Sequence, residues 1–424
     1  MKYLVIGSGG REHALLRKMK QDYGAGGEFH CAPGNAGIRE IAACHPVSAT
    51  DIENLTALVE SIRPDLTVVG PENALDLGLV DQLSKLGFRV FGPSAAATMI
   101  ESSKFFAKQI MEKAQVPTAG YQAFRDPVAA GQHLHNNTFS WPMVIKTNGL
   151  ALGKGVRVCH SFADARDFIS ILVKEYPNDA VLLEEYLEGP ECSVMAISDG
   201  QNFVSFPPIR DHKPVFDGNL GPNTGGMGAF YPIPEDTPEF RKTVDQMIIA
   251  PVLRQMKKNG TPFVGCLYAG LKITPEGIKV VEFNARFGDP EIEVALPMLN
   301  ESILDLTERA VDGTLTTRPA RWLDTVCEAA CVDVVIASGG YPGTYKKGLE
   351  ITGIEKALST GAIIFHAGTM LTDQGELVTN GGRVLNVVGR GNTLISAAEQ
   401  AYRAVSRINF EKMHYRTDIG MPIR

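Results

Sequence analysis

Apolar residues follow two rhythms along the first hundred positions. Short runs rich in branched side chains, Leu4 to Ile6, Glu28 to Cys31, Leu66 to Val69 and Arg89 to Phe91, have the length and make-up of strands. Between them Glu12 to Lys20, Ile52 to Ile62 and Leu75 to Leu86 repeat apolar residues every three or four positions, which predicts helices. Such alternation implies a parallel sheet covered on both faces. Three of the four strands run into turn sequences, Gly7-Ser8-Gly9-Gly10, Pro33-Gly34-Asn35 and Gly70-Pro71-Glu72. Ligands of open α/β sheets bind at the carboxyl ends of strands, so these turns are candidate site loops, although turn chemistry alone accounts for each equally well.

The rhythm changes after Gly92-Pro93-Ser94. A helix is expected over Ala95 to Ala114, carrying Lys104 and Lys108. A smaller unit follows from about 121 to 188: strand Met143 to Lys146, a glycine-rich loop, strand Gly155 to Cys159, helix Ala163 to Glu175 and strand Ala180 to Glu185. Residues 191–327 read as α+β, with a long helix near Glu239 to Asn259 and strands at Val264 to Ile273 and Ile278 to Asn284. From Glu328 onward the apolar runs Ala329 to Ala337 and Ala362 to Phe365 alternate with turns before a last helix, Leu394 to Ile408. The absence of low-complexity linkers predicts tightly packed units.

Composition narrows the class. The chain has 424 residues, and at roughly 100 to 200 residues per domain this suggests two to four domains. A hydrophobic fraction of 44% and a charged fraction of 21% exclude disorder, collagen-like repeats and a coiled-coil rod. With 41 Lys+Arg against 48 Asp+Glu, the net charge of −7 argues against broad nucleic-acid binding. The first residues lack the basic and long apolar segments of a signal peptide, and no apolar stretch approaches the ~18 residues of a membrane span. Seven scattered cysteines without a CxxC spacing predict free thiols, and a cytoplasmic location is expected.

Four clusters carry candidate chemistry. Gly7-Ser8-Gly9-Gly10-Arg11-Glu12 opens like a dinucleotide fingerprint, but Glu12 replaces the third glycine and the second strand ends in Ala32-Pro33 where an acidic residue is required. A nicotinamide reading therefore fails, while the loop's amides at a helix N-terminus still suit a phosphate. Lys146-Thr147-Asn148-Gly149-Leu150-Ala151-Leu152-Gly153-Lys154-Gly155 lies between two strands, so it is no Walker loop; its glycines and lysines suit a phosphate-covering flap or a solvated hairpin. Glu282 and Asn284 are two apart on a strand, hence on one face, and oxygen ligands so placed suit Mg2+. Arg286 shares that face if the strand continues, placing a cation for phosphoryl transfer or, alternatively, a salt bridge to Glu282. Asp211-His212-Lys213 followed by Gly221-Pro222-Asn223-Thr224-Gly225-Gly226-Met227-Gly228 is expected to be a functional loop.

Together these motifs, in this order, resemble the glycinamide ribonucleotide synthetases (phosphoribosylamine–glycine ligases) of the ATP-grasp superfamily. The resemblance extends through Arg286-Phe287-Gly288-Asp289-Pro290-Glu291, Ser338-Gly339-Gly340-Tyr341-Pro342-Gly343 and Asn380-Gly381-Gly382-Arg383-Val384. It implies a multidomain α/β and α+β fold: an N-terminal parallel α/β substrate domain (1–101), an ATP-grasp body (102–120 and 189–327) with a small lid (121–188), and a C-terminal mixed α/β domain (328–424). It implies ATP and Mg2+ or Mn2+, glycine and 5-phosphoribosylamine as substrates, no nucleic acid or membrane partner, and a monomer or weak homo-oligomer.

The same resemblance assigns roles. Lys104 and Lys146 would meet ATP phosphates, Glu185 and Leu187 would offer backbone groups to adenine, and Glu191 would hold the ribose. Glu282 and Asn284 would bind the metal, Arg286 would stabilise the phosphoryl group and Asp289 would orient an amine. Gly9, Gly10, Glu72, Asp211, Lys213, Lys347 and Arg383 are the candidates for substrate contacts. The chain departs from the family pattern at Ser102, Thr147, Asn148, Leu152, Pro190, Pro214, Ile292 and Glu293. Two other readings remain open on sequence: an ATP-grasp ligase for a different amine or acid, and a non-catalytic nucleotide-binding relative.

Overall fold

A five-stranded, wholly parallel sheet forms from the first apolar runs, in the order Ala43–Cys44, Glu28–Pro33, Lys2–Gly7, Leu66–Val69 and Val90–Phe91. The molecule is described by a computed structural model over residues 1–136, 138–149, 155–323 and 329–421. Leu150 to Lys154 of the glycine-rich loop and Cys327 lie outside these residues. The short strand Ala43–Cys44 has no counterpart in the sequence pattern.

Two expected helices are broken. The run Leu75 to Leu86 divides into Glu72–Asp76 and Leu79–Lys85, because Gly78 adopts the left-handed conformation at φ 79°. The run Ala95 to Ala114 divides into Ala95–Ser102 and Lys104–Ala114. Ser103 sits in extended geometry between them and its hydroxyl accepts the Phe106 N–H, capping the second helix. Lys104 thus starts a helix instead of lying inside one.

Residues 121–185 form an antiparallel sheet ordered Tyr121–Phe124, Val181–Glu185, Met143–Thr147 and Val156–Cys159. Helices Pro127–His133 and Phe162–Glu175 cover it through a core of its own that includes Ile145, Phe168, Leu172 and Leu183. A further sheet, ordered Gly277–Asn284, Val264–Thr274, Glu191–Asp199, Phe203–Ser205 and Arg318–Pro319, carries the candidate metal ligands on its first strand. The expected long helix behind it, Pro238 to Lys258, contains a π turn at Asp245–Ile249 just before Pro251, which lacks the N–H of a regular helical turn.

The last sheet is antiparallel throughout and runs Arg210–Asp211, Gly228–Tyr231, Ala330–Ala337, Arg383–Gly391 and Ile363–His366, with Leu394–Val405 packed on it. Its first two strands bracket the segment expected to be one loop, taking in only Asp211 and Gly228 at its ends. That segment also folds a hairpin, Pro214–Phe216 with Leu220–Asn223. The sheet therefore takes in chain from both sides of position 327. Asn35 joins it to the first sheet, donating to the Ser8 and His366 carbonyls at 2.9 and 2.6 Å, while His13 Nδ1 accepts the His366 N–H at 2.9 Å.

Candidate active site

Strand Gly277–Asn284 delivers Glu282 and Asn284 to one face, as alternation requires. Among the described residues neither side chain is engaged in a hydrogen bond or ion pair, so three side-chain oxygens there remain uncommitted. Glu282 lies within electrostatic reach of Lys104 and Lys146. No three His, Cys, Asp or Glu side chains among the described residues are grouped to hold a metal alone. A two-residue oxygen set fits a hard divalent cation that takes its other ligands from nucleotide phosphates and water.

The lysines beside it are held differently. Lys104 Nζ donates to the Gly149 carbonyl at 3.0 Å, tying the helix start to the glycine-rich loop. Asn148 Oδ1 accepts from Ser103 Oγ at 3.1 Å and from the Phe105 N–H at 2.9 Å. Lys146 Nζ lies 2.9 Å from Glu184 Oε2, and Lys108 Nζ lies 3.4 Å from Glu184 Oε1. Burial opposes both ammonium charges. The closer contact outweighs it at Lys146, whose pKa is raised, whereas burial wins at Lys108 and pushes it down to about 8 in spite of Glu184. One carboxylate cannot fully hold two buried cations.

The strand ends at Asn284, so Arg286 does not share its face. It lies in the turn beyond, and among the described residues no hydrogen bond or ion pair joins it to Glu282. Its Nε lies 3.5 Å from Glu72 Oε2 and 3.6 Å from Glu101 Oε1, and its guanidinium donates to the Phe287 carbonyl at 3.2 Å. Burial disfavours the charge, but Glu101 and Glu72 more than reverse that and raise the guanidinium pKa. Arg286 and Glu72, assigned to separate steps, thus sit together.

Asp289 meets Arg383 at 3.0 Å, and Arg383 also donates to the carbonyls of Gly225 and Asp289 at 2.9 and 2.8 Å. Gly9 is beside them: a side chain there would lie about 3.5 Å from Asp289 Oδ2. The Gly9 N–H, however, donates to Glu12 Oε2 at 2.6 Å, so the carboxylate that replaced the fingerprint glycine already takes this amide. Space behind Gly10 is filled by Asn386 and Glu293. Asp211 and Lys213 form a 2.8 Å ion pair that holds the lysine well above its ordinary value against burial.

The remaining positions are less convergent. Glu191 Oε1 pairs with Lys272 at 3.0 Å, the Glu185 side chain with Lys279 at 3.3 Å, and the Glu185 N–H donates to the Gly120 carbonyl at 3.0 Å. Leu187 lies in the connection after that strand, half-buried, and Lys347 is exposed after the Ser338–Tyr341 turn. Glu101, Glu184 and Lys108 escaped assignment from sequence. The signal for Glu184 was legible: a carboxylate at the end of the apolar run Val181-Leu182-Leu183 must be paired if buried. His13 and His366 are buried and pushed down to about 3 and 4, so they are neutral fasteners between sheets and supply no base.

A small antiparallel sheet carrying Lys146 set beside an antiparallel body, with Lys104 at a helix start and an oxygen pair on strand Gly277–Asn284, matches the ATP-grasp class, which uses ATP with a divalent cation. Sequence models of the phosphoribosylglycinamide synthetase N domain, ATP-grasp (A) domain and C domain match residues 1–101, 102–292 and 331–422. The chain belongs to the phosphoribosylglycinamide synthetase family. It is 43% identical over 424 residues to a phosphoribosylamine–glycine ligase of Caldanaerobacter subterraneus subsp. tengcongensis, covering 99% of each. It is 44% identical to that of Streptomyces coelicolor, again covering 99% of each. The crystal structure of the Thermotoga maritima phosphoribosylamine–glycine ligase superposes with a TM-score of 0.85 at 33% identity, over 99% of this chain and 100% of that one. A biotin carboxylase domain from Hydrogenobacter thermophilus shares the fold, with a TM-score of 0.72 at 16% identity over 98% and 91%.

Proposed function

We propose that this chain ligates glycine to 5-phosphoribosylamine, with conversion of ATP to ADP and phosphate, giving glycinamide ribonucleotide. The observation that carries the reading is the junction after Asn284, where the oxygen pair Glu282/Asn284 faces Lys104 and Lys146 while Arg286 and Asp289 turn toward Glu72, Gly9 and Arg383. Residues 1–101 would bind substrate, 102–120 and 189–327 would form the nucleotide-binding body, 121–188 the lid, and 328–424 would close over the amine.

In this reading a glycine carboxylate oxygen attacks the γ-phosphorus as the bond to ADP breaks, giving glycyl phosphate. The ribosylamine nitrogen then attacks the glycyl carbonyl carbon, phosphate leaves, and the nitrogen gives up a proton. Glu282 and Asn284 would hold Mg2+ or Mn2+, which when bound neutralises phosphate charge. Lys104 and Lys146 bind the phosphates, and Arg286 stabilises the charge spread over the transferring phosphoryl oxygens. Asp289 orients the amine. Glu185, Leu187 and Glu191 take the adenosine, and Gly9, Gly10, Glu72, Asp211, Lys213, Lys347 and Arg383 the substrates. Arg383 must release Asp289 in part to meet a phosphate. The setting is cytoplasmic, without membrane or nucleic acid, as a monomer or weak homo-oligomer. Among the described residues no helix is long and apolar enough to cross a membrane.

Glycine labelled with 18O in its carboxylate tests the intermediate. Transfer of label into inorganic phosphate supports glycyl phosphate; unlabelled phosphate with full product formation refutes it.

A further inference from the structure

Glu101 is the penultimate residue of helix Ala95–Ser102 and has no role in the site as described so far. Its side chain is 6% exposed. One oxygen accepts the Ala285 N–H at 2.7 Å, which pins it to the backbone just beyond Asn284. The other lies 3.6 Å from Arg286 Nε, almost the same distance as Glu72 on the opposite side. That Nε is buried and hydrogen-bonded to neither. The guanidinium is therefore balanced between a carboxylate pinned to the Ala285 N–H and one that, among the described residues, has no hydrogen bond to another residue.

We propose that Glu101 is a positioning residue that shares Arg286 with Glu72, holding the guanidinium toward the phosphoryl path so that it does not close fully onto Glu72 and the Glu72 carboxylate can still meet the amine substrate. The inference rests on the roles given above to Arg286 and Glu72. Coulomb attraction in a buried site is steep, so once Glu101 loses its charge, Arg286 moves onto Glu72, the other carboxylate beside it. Two defects then follow from one change. The phosphoryl cation is displaced, and the substrate-binding carboxylate is taken up fully by a guanidinium. The charged groups facing Glu101 are Arg286 from the turn after Asn284, Glu72 from helix Glu72–Asp76 and Arg11 from helix Gly10–Tyr23, with Lys104 on the next helix. Burial lifts the Glu101 carboxyl to about 7 against the pull of Arg286, so acid converts it to the uncharged form near neutrality.

The test is Glu101→Gln, which keeps an acceptor for the Ala285 N–H and removes only the charge. Turnover falls about tenfold, the Kd for the product glycinamide ribonucleotide rises about tenfold, and the Kd for a magnesium complex of a non-hydrolysable ATP analogue stays within about twofold. Adding Glu72→Gln costs no further product affinity, and the decline of wild-type turnover on acidification through neutrality is absent from the variant. Glu101→Asp, which keeps the charge, recovers product affinity. Arg286→Ala is the control for the underlying reading: full turnover there removes that reading. If Arg286→Ala is impaired and Glu101→Gln keeps turnover and product affinity within about twofold of wild type, the positioning role is overturned while the reading stands.

Discussion

Arg383 Nη1 lies 3.0 Å from Asp289 Oδ1, joining the C-terminal sheet to the turn that follows the candidate metal ligands. The pair is mostly buried, and the same guanidinium holds the Gly225 carbonyl, so one side chain couples the glycine-rich loop before Gly228, the turn after Asn284 and the last sheet. Removing it should loosen the amine site without touching the nucleotide. We expect Arg383→Ala to raise KM for phosphoribosylamine by about ten- to a hundredfold, the range of lost charged hydrogen bonds, with KM for ATP nearly unchanged. Steady-state kinetics with each substrate varied decides this.

Lys146 depends on Glu184 for its charge. Glu184→Ala leaves two buried ammonium groups unpaired, and breaking such a pair costs about 3–5 kcal/mol. Urea denaturation should show the loss. Because Lys146 and Lys108 hold the Glu184 carboxyl below its ordinary value despite burial, the stabilisation is present above the ordinary carboxylate range and disappears as pH falls through the depressed value. The stability gap between wild type and variant should accordingly close in acid.

Asn284→Ala removes one of the three uncommitted side-chain oxygens of the Glu282/Asn284 pair. The concentration of Mg2+ giving half-maximal turnover should rise by about tenfold, with fold and nucleotide-free stability unchanged. Titration of activity against free Mg2+, beside thermal unfolding without nucleotide, checks both halves.

Glu293 and Asp333 are fully buried carboxyls from different parts of the chain, and among the described residues Glu293 Oε2, both Asp333 oxygens and Asn386 Oδ1 lack hydrogen-bond partners. Burial, then Asp289, raises both pKa values well above the carboxylate range. The folded state thus keeps protons that the unfolded chain releases near pH 4, and stability falls as pH rises above that point. Glu293→Gln with Asp333→Asn supplies amide donors and abolishes the titration. The double variant should be more stable by about 1 kcal/mol or more at pH 8, with a smaller gain at pH 5, in denaturant melts.

The first sheet was legible because its apolar runs have strand length and its helices keep a clean period. The breaks at Gly78 and Ser103 were not, since apolar spacing continues across both; what breaks the helices is a left-handed glycine in one case and a capping hydroxyl in the other. The shared strand face of Glu282 and Asn284 was readable from spacing, as short-range features are. The partners of Arg286 were not, because Glu72 and Glu101 come from the other end of the fold and only tertiary packing brings them to it. The same holds for the last sheet, whose strands Arg210–Asp211 and Gly228–Tyr231 flank a glycine-rich stretch that reads as a loop yet folds a hairpin of its own.

The most direct measurement is a substrate-omission assay on the purified protein with ATP, Mg2+, glycine and freshly generated phosphoribosylamine, following ADP release and the amide product together. Ligation of glycine to the ribosylamine predicts that ADP and glycinamide ribonucleotide form in equal amounts and that leaving out either acceptor stops both. ADP formation indifferent to the omission of glycine or of phosphoribosylamine would contradict it.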